Sequence, residues 1–205
     1  MANTTSAQPA RLSDELEQWL NGEGEKTLGS LVETFGEKSF GILFVLLLGV
    51  PALPLPTGGA THVFEVIAGL LALEVIAGRR EVWLPKRWRG LTLAGEKQQR
   101  FLAALMRLIR RLERISRPRL RFLFRHRLGE VAFGLLVIGG AAAAFLAPPF
   151  TGLDTLPALG VVVLSLSVLL EDVLVTGAGL VLLTVGVALE IVLGAAAVHG
   201  ISSLL

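Results

Sequence analysis

Apolar residues in this chain fall in long blocks, not in the two-residue alternation of a half-buried strand. From Ser39 to Gly78 and from Leu128 to the C-terminus the sequence is almost continuously apolar. The longest block, Val173 to Val198, carries Glu190 as its single charge. About 20 apolar residues span the hydrocarbon core of a bilayer, so this block is long enough to cross. The polar segments between and before the blocks also read as helical. Residues 12–20 form a short solvent or interface helix, with Ser13 as its N-cap and Asp14 and Glu15 in the first turn. In EKQQRFLAALMRLIRRLERIS, Phe101, Leu105, Leu108, Leu112 and Ile115 recur at helical spacing, with Arg107, Arg110, Arg111 and Arg114 on the other faces. The fold class expected is an all-α integral membrane protein in four segments: N-terminal cytoplasmic or interfacial helices at 1–38, a first membrane half at 39–78, a basic cytoplasmic or interfacial segment at 79–127, and a second membrane half at 128–205 ending in a transmembrane helix.

Both apolar halves are interrupted. In the first, PALPLPTGGATH (51–62) places three prolines and two glycines after an apolar run about half a membrane long. Proline removes backbone donors and glycine permits conformations that other residues avoid, so this stretch is not a regular helix. It is either a surface loop between a short and a longer helix or the tip of a re-entrant hairpin, because irregular backbone at membrane depth must be buried in protein or reached by water. The second half carries a similar break in FLAPPFTGLDTLPALG. Laid side by side, the halves match at Phe40-Gly41 with Phe133-Gly134, Thr57-Gly58 with Thr151-Gly152, and Leu73-Glu74 with Leu170-Glu171. This reads as an internal repeat of broken helices. Paired Gly/Pro-interrupted segments in corresponding halves point to the binding site of a transporter.

Composition supports the membrane class: of 205 residues 53% are hydrophobic and only 18% charged, against roughly 25% charged in soluble domains. Charge then orients the chain. Sixteen of its nineteen Lys and Arg lie between Arg79 and Arg127, the others being Arg11, Lys26 and Lys38, and such a basic segment belongs on the cytoplasmic side. The N-terminus lacks the basic and apolar regions of a signal peptide and is expected to begin in the cytosol. Trp83 and Trp88 suit an aromatic belt at the membrane boundary. The arginine-rich helix is expected to lie in the headgroup layer against anionic lipid, and not on nucleic acid, since its apolar stripe has no use on a phosphate backbone. There is no cysteine, which excludes disulfides and thiolate metal sites.

Candidate chemistry gathers at the breaks. His62 and Glu65 are three residues apart and share a helix face, and Glu74 follows two and a half turns later. Ionisable groups in apolar segments are costly and face a bundle interior or a water-filled cavity. The candidate substrate or ion site therefore comprises Thr57, Gly58, His62, Glu65 and Glu74 in the first half, and Thr151, Asp154, Glu171 and Asp172 in the second. For Asp154 the simpler reading is an N-cap of the helix that Pro157 continues, and for Glu171 and Asp172 a polar turn. Ser165 and Ser167 read as bonding back to their own helix. Glu190, alone in its span, reads as an intramembrane functional group.

PLPTGGATHVFEVIAGLLALEVIAGRREVWLPKRW, preceded by SLVETFGEKSFGILFVLLLGVPALP, resembles the ExoD family of bacterial membrane proteins; FLAPPFTGLDTLPALG and LLEDVLV are similar to that family's C-terminal half. The resemblance implies a multi-pass protein of the bacterial inner membrane connected to exopolysaccharide production. The chain itself argues against an enzyme: no phosphate-binding glycine loop, nucleophile elbow or zinc-protease pattern occurs, and the basic segment holds too few acids for a metal-bound sugar nucleotide. No cofactor is expected. Two readings remain, a small transporter or ion-coupled carrier working as a homodimer, and a non-transporting accessory subunit whose arginine-rich surface contacts lipid or the exopolysaccharide machinery.

Overall fold

The computed structural model describes residues 11–53, 61–90, 92, 96–116, 126–147 and 151–202. Among these residues the regular secondary structure is all helical, apart from one isolated bridge between Thr27 and Thr92. The chain divides into two units. One joins Met1–Phe35 to Leu84–Arg117, and the other joins Gly36–Trp83 to Pro118–Leu205. The N-terminal segment and the basic middle, far apart in sequence, thus fold together, while the two apolar halves fold with each other.

The first unit holds α1 (Leu12–Asn21), α2 (Leu28–Phe35), α5 (Lys86–Arg89) and α6 (Glu96–Ile115). The N-cap of α1 lies two residues earlier than the capping pattern suggests. Arg11 is the extended N-cap residue, and Ser13 lies inside the first turn. Ser13 is buried, and both its backbone N–H and its hydroxyl donate to the Glu113 carboxylate of α6. A long-range carboxylate thereby satisfies an orphan donor of the helix start, which the local sequence does not reveal. One turn on, Arg110 pairs with Glu17 at 2.7 Å. These two links run α1 and α6 antiparallel. They turn Leu102, Leu105, Met106 and Ile109 inward, and leave Leu108 and Ile115 exposed with Arg107, Arg111 and Arg114. The apolar stripe expected to face lipid is shifted accordingly: its Leu105 packs within the unit, and the helix presents a mixed arginine and apolar outer face. Trp19 meets Phe35 edge-on, closing the small core over α2.

The second unit holds α3 (Lys38–Gly49), α4 (His62–Ile76), α7 (Arg127–Leu146), α8 (Thr155–Leu170) and α9 (Val173–Ser202). The chain's own punctuation explains the helix ends. Ala147 leaves the helical region at φ −58° and ψ 132°, as the residue before Pro148 must, and α7 stops there. Pro157 sits in the first turn of α8, where its missing N–H costs nothing. Glu171 ends α8 in the left-handed region at φ 53°, and the next residue, Asp172, starts α9 by accepting the Leu174 N–H on Oδ1. At the end of α4, the guanidinium of Arg127 donates to the carbonyls of Val75 and Ile76, the first of which also accepts the Gly78 N–H.

Neighbouring helices in this unit run antiparallel. Gly41 of α3 packs on Leu169 of α8, and Gly134 of α7 packs on Ala72 and Ile76 of α4. The α8–α9 seam is closer still, since a Cβ at Gly160 would lie 2.6 Å from the Leu183 nitrogen and one at Gly186 2.7 Å from the Pro157 nitrogen. The core between the helices is built from Phe44, Leu48, Ala68, Leu71, Val137, Val161 and Leu164. Ser165 and Ser167 donate to the Val161 and Leu164 carbonyls of their own helix, and Thr176 donates to Ser167. Arg127–Leu146 and Val173–Ala196 are long and apolar enough to cross a membrane, whereas Lys38–Gly49 and Thr155–Leu170 are apolar but shorter. The outward face of α9 is a wall of Leu174, Val181, Val185, Ile191 and Val192, each at least half exposed.

Candidate functional site

Two ends of the second unit can be told apart by where its described Lys and Arg residues lie. At one end lie the start of α3, the end of α4 and the start of α7, with Lys38, Arg79, Arg80 and Arg127. At the other, α3 runs into the first break, α4 begins with His62, α7 ends and α8 begins after Asp154.

This second end holds three acids and one histidine in its apolar interior. Glu65, one turn into α4, has a side chain with no solvent exposure, and its Oε2 lies 2.7 Å from Nδ1 of His62. The i, i+3 spacing makes this contact possible, and burial makes it strong. Either the imidazole donates to a carboxylate or a carboxylic acid donates to a neutral imidazole. The other face of His62 rests on Phe145 of α7, ring centroids 4.9 Å apart. Asp154 stands at the N-cap position of α8, yet its backbone is helical and its side chain makes no capping hydrogen bond. The capping role expected of it is therefore not what the structure gives. Instead it is half-buried within electrostatic reach of His62.

Glu190 completes the group. Along the α8–α9 seam Gly179 meets Leu164, Gly160 meets Leu183 and Gly186 meets Pro157. One further turn brings Glu190 level with Leu153 and Asp154, within electrostatic reach of both Asp154 and Glu65. Glu65 Oε1 and Glu190 Oε1 are both fully enclosed and, among the described residues, have no hydrogen-bond partner. Three carboxylates and one imidazole are thus linked by electrostatic interactions among apolar helices. Sequence reasoning noted Glu190 as a lone charge but had no means of joining it to Glu65, 125 positions away. The glycines of the α8–α9 seam were the one available signal of its register.

The remaining candidates lie elsewhere. Glu74 is near the basic end, where its Oε2 accepts the Trp83 N–H at 2.9 Å. Glu171 and Asp172 form the turn between α8 and α9, also away from the acid cluster. Thr151 is exposed near Asp154, its Oγ1 accepting the Leu153 N–H. Thr57 and Gly58 fall outside the described residues.

Against known proteins, the family described as exopolysaccharide synthesis, ExoD, matches residues 12–192. An uncharacterized protein of Synechocystis is 35% identical over 84% of this chain and 82% of its own length. Protein ExoD of Rhizobium meliloti is 31% identical over 83% of this chain and 71% of its own length. No solved structure matches the chain. With the match covering both units and every residue of the acid cluster, the chain belongs to the ExoD family of exopolysaccharide synthesis proteins.

Proposed function

We propose that this protein is an inner-membrane carrier that serves exopolysaccharide synthesis by moving a solute coupled to an ion, with His62, Glu65, Asp154 and Glu190 as the ion site. The family ties the chain to exopolysaccharide synthesis. The observation that carries the transport reading is the enclosed Glu65 carboxylate in the apolar unit, one oxygen on His62 and the other without a partner among the described residues. A structural acid would have both oxygens satisfied, whereas one left open in apolar surroundings is costly to keep and marks an ion path.

The short lengths of α3, α4 and α8 support two re-entrant hairpins. In this reading α3 and α4 enter from the basic end and turn at the first break, and α7 and α8 do the same at the second. Glu190 then lies about 25 Å from the basic end, within a hydrocarbon core roughly 30 Å thick. The contacts support the internal repeat. If Gly41 corresponds to Gly134 and Leu73-Glu74 to Leu170-Glu171, then Ala72 corresponds to Leu169. Exchanging the halves carries the Gly41–Leu169 contact onto Gly134–Ala72. The basic end faces the cytoplasm in this topology, and the outward apolar faces of α7 and α9 meet lipid.

The experiment is solute-coupled ion flux in proteoliposomes with an imposed gradient, wild type against Glu65→Gln. A specific observation favours a second reading, a non-transporting accessory subunit: the exposed Arg107, Arg111 and Arg114 beside Leu108 and Ile115 on α6 suit anionic lipid or a partner of the assembly machinery. Absence of flux with intact exopolysaccharide yield in Glu65→Gln cells selects it.

A further inference from the structure

We propose that the ion bound by this cluster is the proton, and that Glu190 is a proton-binding group coupled through Asp154 to the His62–Glu65 pair. This inference deepens the carrier reading and rests on it for its physiological meaning, though not for its test.

The cluster has the chemistry of a proton site more than of a metal-cation site. His62 and Glu65 meet at 2.7 Å, so a single proton lies on one or the other of two heavy atoms that need not move as it transfers. A metal cation on Oε2 would displace the imidazole, and a protonated imidazole would repel it. Among the described residues no three His, Asp or Glu side chains stand close enough to one another to hold a metal ion together. Glu65, Asp154 and Glu190 interact at longer range, which suits electrostatic coupling of proton occupancy and not shared coordination.

The titratable groups at the cluster are His62 and Glu65 on α4, whose Glu74 lies at the basic end, Asp154 before α8, and Glu190 on α9. The described residues of α7 offer Phe145, their charges Arg127 and Glu130 being at the far end, and α3 carries its Lys38 at that same far end. Fully ionised, the cluster holds three negative charges against at most one positive charge from His62. Apolar helices do not support that surplus, and protons are the means by which these groups can shed it without new ligands. Because Glu190 and Glu65 each keep one enclosed, unpartnered oxygen, both are placed to be neutral acids in one state and carboxylates in another. Loading one makes the other easier to ionise, so occupancy of the two sites is linked.

The test is infrared difference spectroscopy of the full-length protein in lipid vesicles, titrated with pH in potassium buffer and repeated with sodium. The carboxylic-acid C=O band is a direct reading of protonated acid and needs no transport activity. The wild type is expected to lose carboxylic-acid intensity as pH rises, identically in sodium and potassium. Glu190→Gln is expected to lose one component of that band, and Glu65→Gln another, with helix content by circular dichroism unchanged. In Asp154→Asn the remaining acids release their protons at lower pH, by about half a pH unit or more, because a neighbouring negative charge has been removed. A band unchanged in Glu190→Gln overturns the assignment of Glu190. A band that falls as sodium is added at fixed pH overturns the choice of proton over metal cation. Should the bands titrate as expected while proteoliposomes show no coupled flux, the carrier reading fails and the proton site stands. Sodium-coupled flux without titrating bands gives the reverse.

Discussion

His62 and Glu65 meet at 2.7 Å with the glutamate side chain wholly withdrawn from solvent, which makes this pair the most enclosed ionisable contact among the described residues of the helical unit built from the apolar halves. Removing the charge while keeping the shape isolates its role. Glu65→Gln is expected to insert and fold like the wild type and to abolish coupled flux. Glu65→Asp, retreating by one methylene, keeps part of the activity with a displaced pH profile. Flux and exopolysaccharide yield at matched protein level, across a pH series, check both. Near-wild-type flux in Glu65→Gln removes the residue from the mechanism.

The α8–α9 seam depends on absent side chains. Gly160→Ala or Gly186→Ala drives a methyl into the facing backbone and is expected to cost about 1–3 kcal/mol, with the register of Glu190 disturbed. At Gly177, on the same helix as Gly186, an added Cβ meets nothing within 4 Å, and alanine there should be neutral or stabilising by up to about 1 kcal/mol. Thermal unfolding of the three variants side by side distinguishes seam packing from general helix propensity.

In the first unit, the Glu113 carboxylate receives two donors from Ser13. Glu113→Ala leaves a buried backbone N–H and hydroxyl unmatched and is expected to destabilise the unit by about 1–3 kcal/mol. The Glu17–Arg110 pair is half exposed, and Glu17→Ala should cost less than about 1 kcal/mol. Limited proteolysis between α1 and α2 reports the difference.

Topology has its own test, made simple by the absence of native cysteine. Arg114→Cys, on the exposed face of α6, is expected to react with a membrane-permeant maleimide and to be spared by an impermeant one added to cells with an intact inner membrane. Labelling from the periplasmic side reverses the orientation proposed from the basic segment.

Helix content, the apolar blocks, the punctuation at Pro148 and the turn at Glu171–Asp172 could all be read along the chain, because each depends on local composition and on residues within a few positions. So could the suspicion falling on His62 and Glu65, since an i, i+3 pair is fixed by the helix that carries it. Partnerships across long separations could not be read. Ser13 looked like a local cap and is held by Glu113. Asp154 also looked like a cap, and its side chain makes no such bond. The arginine helix showed an amphipathic pattern, but which of its leucines face inward was decided by packing against α1. Glu190 was visible only as an isolated charge. The close approach of α9 to α8 at Gly160 and Gly186 sets it level with Asp154, and the antiparallel pairing of α4 with α7 brings His62 to Phe145. Sequence fixes which groups are expensive to bury in an apolar chain. Only the packing of helices determines which of them share one low-dielectric space, and that sharing is what turns separate acids into a site.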